Sequence, residues 1–270
     1  MKKLLLLLCS AFFILSCNDD SQTPPKEEKL IPTRIVNEWV SDRWYQKDSI
    51  LFEYDNLNRP IRVTTYTASM WNGSPDQSLK LVGIKTFEYN NKDLVVHSIF
   101  YRTDPSKDLI LESLQELKLE TSYSGTIYGK DRYSFSEDYK DQSSIKFTIN
   151  DEGQFVNYDN DKYWYDDKGN IIRGLFSNKV EKVYKYDNKN GIFKDVHMPF
   201  YMKGFLCDIL IESLSPQVVV EGITTDDSYV DKYVNEYNGS NYPKKIIHSR
   251  YTTGDSQQSV HVYAIEYTKI

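Results

Sequence analysis

Residues Tyr163–Ile171 read Tyr-Trp-Tyr-Asp-Asp-Lys-Gly-Asn-Ile, and they carry the pattern from which the fold is predicted. It places an aromatic residue, Tyr165, directly before Asp166, and a glycine, Gly169, three positions after that aspartate. An Asp or Asn suits the first corner of a type I turn because its side chain bonds the backbone two residues on. Gly, Asn and Asp tolerate the left-handed conformation that ends such a turn with a bulge. The stretch therefore predicts the tip of a β-hairpin.

Five further stretches repeat this pattern of an aromatic or apolar residue, Asp or Asn, two free positions, and Gly, Asn or Asp. Their turn residues are Asp55 and Asn58, Asn90 and Asp93, Asn150 and Gly153, Asp187 and Asn190, and Asn238 and Asn241. Each copy predicts another hairpin tip. The copies are unevenly spaced along the chain, whereas a solenoid or propeller needs a constant period. The pattern therefore predicts one continuous antiparallel meander.

The composition also favours an all-β fold. Tyrosine accounts for 22 of the 270 residues, and aromatic and β-branched residues favour the half-buried surface of a strand. Helix formers such as Ala and Leu are sparse after residue 16. We expect a single all-β domain over residues 31–270, a large antiparallel meander that is strongly curved or barrel-like.

Three segments interrupt the regular alternation. Residues Met198–Leu214 contain apolar side chains at helical spacing, which predicts one short helical insertion or plug over one end of the sheet. Residues Ala68–Leu79, which include Trp71, read as an exposed loop. Residues Leu109–Thr121 fit either a helix or a strand, and we favour a strand for their second half.

The first residues form a targeting signal. Lys2 and Lys3 precede an apolar run, Leu4–Leu15, that is too short for a permanent membrane span. The run ends Ile-Leu-Ser-Cys at Cys17, which resembles the lipobox of bacterial lipoproteins. The resemblance implies cleavage of a signal peptide over residues 1–16 and acylation of Cys17, with palmitate among the expected groups. Several acyl chains on one residue give firm membrane anchoring.

A polar stretch follows the expected lipid anchor. Residues 17–30 carry two prolines and several charges, so they read as a flexible tether between the membrane and the folded domain. Asp19 and Asp20 lie just behind Cys17 and resemble the surface-export signal of Bacteroidetes lipoproteins. We therefore expect an outer-membrane lipoprotein, on either the cell surface or the periplasmic face.

Charge and cysteine content exclude some classes of protein. Without Lys2 and Lys3, 31 basic residues stand against 39 acidic ones, which disfavours a nucleic-acid partner. Of the three cysteines, Cys9 leaves with the signal peptide and Cys17 is expected to be acylated. Cys207 would then be the only thiol left in the mature chain, so we expect no internal disulfide and read Cys207 as a buried small hydrophobe.

Several of these phrases resemble a known kind of repeat. Phe52–Asp55, Tyr163–Ile171 and Tyr184–Asp187 resemble the tyrosine–aspartate (YD/RHS-type) repeats of large bacterial surface and toxin-shell proteins. Together with the lipobox and the closing strand Tyr242–Ile246, they are more similar to Bacteroidetes lipoproteins of unknown function with a porin-like fold. Asn190–Lys194 stands where that family has an Asn-Pro-Phe-like segment. The resemblance implies a fold and a location, and it supplies no catalytic residues.

No motif selects a reaction chemistry. The four histidines, His97, His197, His248 and His261, are scattered without ligand spacing, although two could meet across strands. The acidic residues of Asp159–Asp167 lack the spacing of a calcium loop, so we expect no metal site and no cofactor. There is no nucleophile elbow and no phosphate-binding loop. Trp71 could stack on a sugar ring, or it could simply pack.

Three hypotheses for function remain open. The first is a non-enzymatic binding or scaffold protein of the cell envelope, with a glycan, a peptide or a partner protein as ligand. The second is a half-open barrel that carries a lipophilic molecule, with the Met198–Leu214 insertion as its lid or plug. The third is a glycan-acting hydrolase, which would need a cleft with converging titratable groups.

Overall fold

The fold is given by a computed structural model that describes residues 28–40, 44–71, 78–90, 95–103, 109–119, 124–131, 141–177, 179–198, 203, 206, 215–224, 229–252 and 257–270. These ranges contain sixteen strands. They are β1 (Leu30–Val40), β2 (Trp44–Tyr54), β3 (Pro60–Trp71), β4 (Lys80–Tyr89), β5 (Val95–Thr103), β6 (Leu109–Leu119), β7 (Ser124–Asp131), β8 (Asp141–Ile149), β9 (Phe155–Tyr158), β10 (Asp161–Tyr165), β11 (Ile171–Leu175), β12 (Glu181–Asn190), β13 (Gln217–Thr224), β14 (Tyr229–Tyr237), β15 (Pro243–Thr252) and β16 (Gln257–Lys269). Within the same ranges, no helix is long and apolar enough to cross a membrane.

The strands form one antiparallel sheet that closes on itself. Each strand pairs with the next in sequence, and β1 also pairs with β16, for example Ile35 with Ile265. Closure leaves the described sheet without an unpaired edge between its first and last strands. The prediction of an all-β antiparallel meander, strongly curved or barrel-like, is confirmed.

The two ends of the barrel differ. Strand β1 begins and β16 ends at the same end, where the amide of Ile270 donates to the carbonyl of Lys29 (3.2 Å). The short turns after β2, β8, β10 and β14 lie at this end, which we call the turn end. The connections β1–β2, β3–β4 and β15–β16 lie at the opposite end, which we call the loop end. Leu30, at the border of the predicted tether, already belongs to β1.

Four of the six repeated stretches form tight turns at the turn end. Their last turn residue adopts positive φ: Asn58 (61°), Gly153 (74°), Gly169 (86°) and Asn241 (63°). In each turn the leading Asp or Asn side chain accepts backbone hydrogen bonds, as when Asp166 Oδ1 accepts from the amides of Lys168 (3.0 Å) and Asn170 (2.8 Å). The strand register shifts next to each turn, for example between Trp164 and Tyr165. Such bulges increase the twist of a strand pair, which favours curvature.

The repeated tyrosines hold neighbouring strands together at the turn end. In each case the hydroxyl of a tyrosine in one strand donates to a carbonyl at or near the start of the preceding strand. We call these contacts the tyrosine clasps: Tyr54 to Pro32 (2.7 Å), Tyr89 to Pro60 (2.5 Å), Tyr165 to Phe155 (2.8 Å), Tyr186 to Ile171 (2.8 Å) and Tyr267 to Pro243 (3.0 Å). The tyrosines of the YD-like pattern therefore stabilise the barrel wall as well as filling its interior.

Replacing Tyr165 by phenylalanine should lower the free energy of unfolding by about 1 kcal/mol, because the Phe155 carbonyl loses the hydrogen bond that Tyr165 donates. The matched control is Tyr229→Phe, since Tyr229 is exposed and a surface change of this kind should stay within about 0.5 kcal/mol. Urea unfolding of both variants measures the difference. Equal losses in the two variants would show that the clasp adds nothing to stability.

The fifth repeated stretch is not a hairpin tip, which corrects the prediction. Asp187 and Asn190 lie in β12, and Asn190 pairs with Gln217 of β13 across a long insertion. The Asn190 amide donates to the carbonyl of Asn241 (3.0 Å), so this stretch braces another turn instead of forming its own. The second stretch cannot be judged in the same way, because Asp93 lies outside the described residues, although Asn90 directly follows β4.

Two further predictions need correction. Strand β3 continues to Trp71, which pairs with Trp44, so Ala68–Trp71 is strand and not loop. Backbone pairing with β2 extends the strand through this segment, since residues 44–47 lie opposite residues 68–71. Strand β6 covers Leu109–Leu119, so the ambiguous segment is a strand in both halves and not only in the second.

The described part of the insertion between β12 and β13, residues 191–198, 203, 206 and 215–216, packs into the barrel at the turn end, and we call it the plug. Its buried residues Ile192, Phe193, Val196, Met198 and Leu206 belong to the main apolar cluster. The predicted helical insertion Met198–Leu214 falls mostly outside the described residues, and within it Lys203 is helical.

The plug joins apolar side chains that point inward from the barrel wall. The ring of Phe193 meets the ring of Phe52 edge to face, with centroids 5.8 Å apart. Ile35 and Ile171, from β1 and β11, are fully buried members of the same cluster. Burial of this apolar surface closes the turn end of the barrel.

Candidate functional site

The inner wall is apolar at the turn end and polar towards the loop end. Strands alternate inward and outward side chains, so residues two positions from a core residue also face inward. Asp231 lies two positions from the core residue Tyr233 on β14, and His248 lies two positions from Ile246 on β15. Both polar residues are on the loop-end side of those core residues. The polar half of the interior is the part of the described molecule where functional groups converge.

One buried carboxylate organises this polar half. Asp231 is 1% exposed and accepts hydrogen bonds from His248 Nε2 (2.8 Å) and Arg250 Nε (2.8 Å). The ammonium of Lys182 lies 2.7 Å from its second oxygen. We call Asp231, Lys182, His248 and Arg250 the Asp231 cluster. Three different strands, β12, β14 and β15, contribute to it.

A glycine lets Lys182 reach its partner. Lys182 lies on β12 and Asp231 on β14, with β13 between them. The side chain of Lys182 crosses Gly222 of β13, where a Cβ atom would lie 2.7 Å from the Lys182 Cε atom. Any larger residue at position 222 would push the lysine from its path.

The Asp231 cluster keeps its carboxylate ionised. Burial alone would raise the pKa of Asp231, but the hydrogen bonds from His248 and Arg250 and the charge of Lys182 outweigh it. The pKa of Asp231 is therefore held well below its usual range. A carboxylate of fixed charge can only accept hydrogen bonds, so it fixes the orientation of the three groups around it.

A row of stacked rings runs along the same wall, and we call it the ring row. Tyr233, His248, His261 and Trp39 face one another across β14, β15, β16 and β1. Ring centroids are 4.6 Å apart for Tyr233 and His248, 5.6 Å for His248 and His261, and 5.8 Å for His261 and Trp39. The ring row thus crosses the seam between β16 and β1 that closes the barrel.

The ring row disfavours the charged form of His261. Burial, together with the neighbouring His248 and Arg250, lowers the pKa of His261 to about 4, although Asp48 and Asp231 oppose this shift. His261 is therefore neutral at pH 7, and stacking with Trp39 and His248 does not require a charge on its ring.

Acidification should destabilise the protein through His261. Its pKa is about 4 when folded and about 6.5 when unfolded. Between these values the unfolded chain binds a proton that the folded chain does not, so stability falls as the pH falls. Allowing for solvent screening at this half-buried ring, we expect about 1 kcal/mol of loss between pH 7 and pH 5.

The measurement is urea unfolding at both pH values, compared with a His261→Gln variant that lacks the titrating group. His197→Gln is the matched control because His197 is exposed on the plug. If the His261 variant keeps the full pH dependence of the original chain, the assignment to this ring is wrong.

The polar lining continues from β1 onto β2 and β3. The carboxylate of Asp48 accepts hydrogen bonds from Gln46 Nε2 (3.0 Å) and Thr67 Oγ1 (2.7 Å). Gln46 lies opposite Trp39, and Asp48 lies opposite Asn37, which faces inward beside it. These side chains are half-buried, in contrast to the fully buried core at the turn end.

The geometry suits binding better than proton transfer. The Asp231–His248 contact has the form of a carboxylate that orients a general base. However, the other ring nitrogen, His248 Nδ1, is buried, and both faces of the ring are covered by Tyr233 and His261. A substrate could not bring a proton within reach of that nitrogen without displacing the ring row.

The residues singled out from the sequence lie mostly elsewhere. Cys17 and Cys207 lie outside the described residues, and Trp71 ends β3 at the loop end without a described side chain. The turn residues occupy the turn end, far along the barrel from the Asp231 cluster. Among the described residues, no group of three or more His, Cys, Asp or Glu could hold a metal ion. Asp159 and Asn160 form the tight connection between β9 and β10.

No family model matches this chain. No curated protein matches it either. It is similar to a porin-like protein from Bacteroides uniformis with 13% identity and a TM-score of 0.49, over 88% of this chain and 98% of that one. A porin-like protein from Bacteroides vulgatus shares 11% identity with a TM-score of 0.41, over 89% of this chain and 99% of that one. A DUF3836 family protein from Parabacteroides distasonis shares 10% identity with a TM-score of 0.30, over 37% of this chain and 91% of that one.

Proposed function

We propose that the protein is a lipid-anchored cell-envelope protein, without catalytic activity, that binds a glycan or a peptide in the loop-end half of its barrel. The observation that carries this proposal is the Asp231 cluster beside the ring row. Buried charges that hold one another in place form a rigid polar wall, and the neighbouring lining is less deeply buried than the core. Rigid, preorganised side chains are what a binding site needs.

The chemistry of the wall indicates the class of ligand. Aromatic faces and paired hydrogen-bonding groups suit a ring that carries hydroxyl groups, or a chain of amides. Arg250, with a side chain 38% exposed, lies over the ring of Tyr229 (5.6 Å), which is 40% exposed. These two residues mark the mouth of the site. Lys182 and Arg250 are balanced by Asp48 and Asp231, so the four residues give no net charge to attract a polyanion.

The carrier hypothesis is not favoured by the apolar half of the interior. A lipophilic ligand would need an apolar cavity. In the described part of the turn end, the interior is filled by the protein's own side chains, with Phe193, Leu206 and Ile171 fully buried against one another and their neighbours.

The chain enters the barrel at the end opposite the mouth of the proposed site. The last tether residues, Glu28 and Lys29, contact the turn end, where Glu28 accepts from Ser240 Oγ (2.6 Å) and Lys269 Nζ (2.6 Å). A lipid on Cys17 would therefore hold the plugged end towards the outer membrane. The site would then face away from the bilayer, towards either the cell surface or the periplasm.

The test is purification of the lipidated protein from its native membrane in mild detergent, followed by native mass spectrometry. We expect a diacylglyceryl-modified Cys17 and a bound glycan or peptide that is lost in an Arg250→Gln variant. Lys232→Gln is the matched control, because Lys232 lies on the outer face of β14. An unmodified Cys17 would remove the anchor. A bound molecule retained by the Arg250 variant, or no glycan or peptide at all, would contradict the binding site.

A further inference from the structure

We infer that the barrel lies in water beside the membrane and that its outer wall contacts solvent and not lipid. The barrel is then closed at one end by the plug and does not form a transmembrane pore. This inference rests on the proposed function only for the lipid anchor. The first observation is the chemistry of the outer face. The side chains next to core residues point outward, and many of them are charged.

Cross-strand ion pairs lie on the outer face of nine of the sixteen described strands. They join side chains on six pairs of neighbouring strands: Arg34–Glu266, Lys47–Glu38, Arg62–Glu53, Arg173–Glu181, Lys185–Glu221 and Lys245–Glu236. Each residue is at least partly exposed. A barrel in a membrane instead presents an apolar band on its outer face, where charged side chains are destabilising.

The spacing of these charges leaves no room for such a band. On β1, Arg34 and Glu38 are four residues apart, which is about 13 Å along a strand, with Val36 as the only outward residue between them. On β14, Lys232 and Glu236 enclose Val234 in the same way. The apolar band of a membrane barrel is about 25 Å tall, so the distance between two charged residues along these strands is only about half the height of such a band. On these two strands, the outward-facing valines are therefore separated by charged residues and do not form a belt.

Three adjacent strands are also too short to cross a bilayer. Strands β9, β10 and β11 contain 4, 5 and 5 residues. A strand of five residues extends about 17 Å at most, whereas a membrane-crossing strand needs roughly 9 to 11 residues. The plug also opposes a pore, because its buried side chains, such as those of Phe193 and Leu206, fill the turn end of the interior. A continuous water path through that end would have to displace them.

The experiment tests whether the barrel wall binds the membrane after the lipid anchor has been cut off. A protease recognition sequence is inserted between Thr23 and Pro24 of the full-length lipidated protein, which is then reconstituted in vesicles of phosphatidylethanolamine and phosphatidylglycerol. After cleavage we expect the barrel in the supernatant and residues 17–23 with the vesicles. A barrel that stays with the vesicles after cleavage overturns the inference.

The experiment also distinguishes a missing lipid on Cys17 from a barrel wall that binds the membrane. If Cys17 is not acylated, the uncleaved protein should already be in the supernatant, which removes the anchor but supports a water-facing wall. If an unacylated protein sediments with the vesicles, both the lipid anchor and the water-facing wall are wrong.

A second readout is Val234→Gln in the vesicle-bound protein, since Val234 is 63% exposed. A water-facing wall should leave Tm within about 2 °C of the original, because surface substitutions usually have small effects, whereas a lipid-facing wall should lower it clearly.

Discussion

Replacing Asp231 by alanine should lower the free energy of unfolding by about 3 to 5 kcal/mol. The substitution leaves Lys182, Arg250 and His248 facing one another on the inner wall without the carboxylate that now accepts from all three. Lys182 is itself buried, so its ammonium cannot recover full hydration in place. Removing one partner of a buried ion pair is costly because the remaining charge is left uncompensated.

Glu236→Ala is the matched control for this prediction. Glu236 lies on the same strand and forms ion pairs with Lys244 and Lys245, but it is on the exposed outer face. Exposed ion pairs contribute at most about 1 kcal/mol, so the control should lose little. A double variant, Asp231→Leu with Lys182→Met, should recover part of the loss by removing the buried charges together. Equal losses for Asp231→Ala and Glu236→Ala in urea unfolding would contradict the buried-network interpretation.

Replacing Gly191 by alanine should destabilise the protein by about 3 kcal/mol, at the upper end of the range for overpacking. Gly191 opens the plug and donates its amide to the carbonyl of Pro216 at the end of the plug (2.7 Å). A Cβ atom here would lie 2.1 Å from the carbonyl oxygen of Ser215. That oxygen belongs to the backbone, so relief requires the two stems of the plug to separate.

The matched control is Gly239→Ala, because a Cβ atom at Gly239 has nothing within 4 Å. Its stability should stay within about 0.5 kcal/mol of the original chain. Thermal unfolding monitored by tyrosine fluorescence and near-UV circular dichroism measures both variants. If Gly191→Ala unfolds like the control, the plug is not held at its stems in the way described.

The hairpin arrangement could be predicted because its signals are local. A turn residue such as Asp166 makes its hydrogen bonds within four residues, so the pattern is readable without knowing the rest of the fold. Asn190 shows the limit of such a signal. Its neighbours match the pattern, but pairing with Gln217 and bonding to Asn241, 27 and 51 residues away in sequence, decide its conformation. Closure of the barrel is likewise non-local, because Ile35 pairs with Ile265, which is 230 residues away in sequence.

The candidate site was not predictable from spacing, because its members lie on strands separated by long connections. Lys182, Asp231 and His248 show no motif in the sequence, and their contact depends on strand register and on the absence of a side chain at Gly222. One signal was present. On β14 and β15, Asp231 and His248 share the inward face with Tyr233 and Ile246, and a charged residue on a core face indicates a buried partner.

The tyrosine clasps have a consequence for how a wall of this kind can change in size. The β2–β3 and β10–β11 hairpins each carry their own turn, their own bulge and their own hydroxyl bridge to the strand before them, through Tyr54 and Tyr165. A whole hairpin with these three parts can be inserted or removed without changing the strand register of the hairpins next to it. The circumference would then change in steps of two strands, while the plugged base and the anchored terminus keep their places.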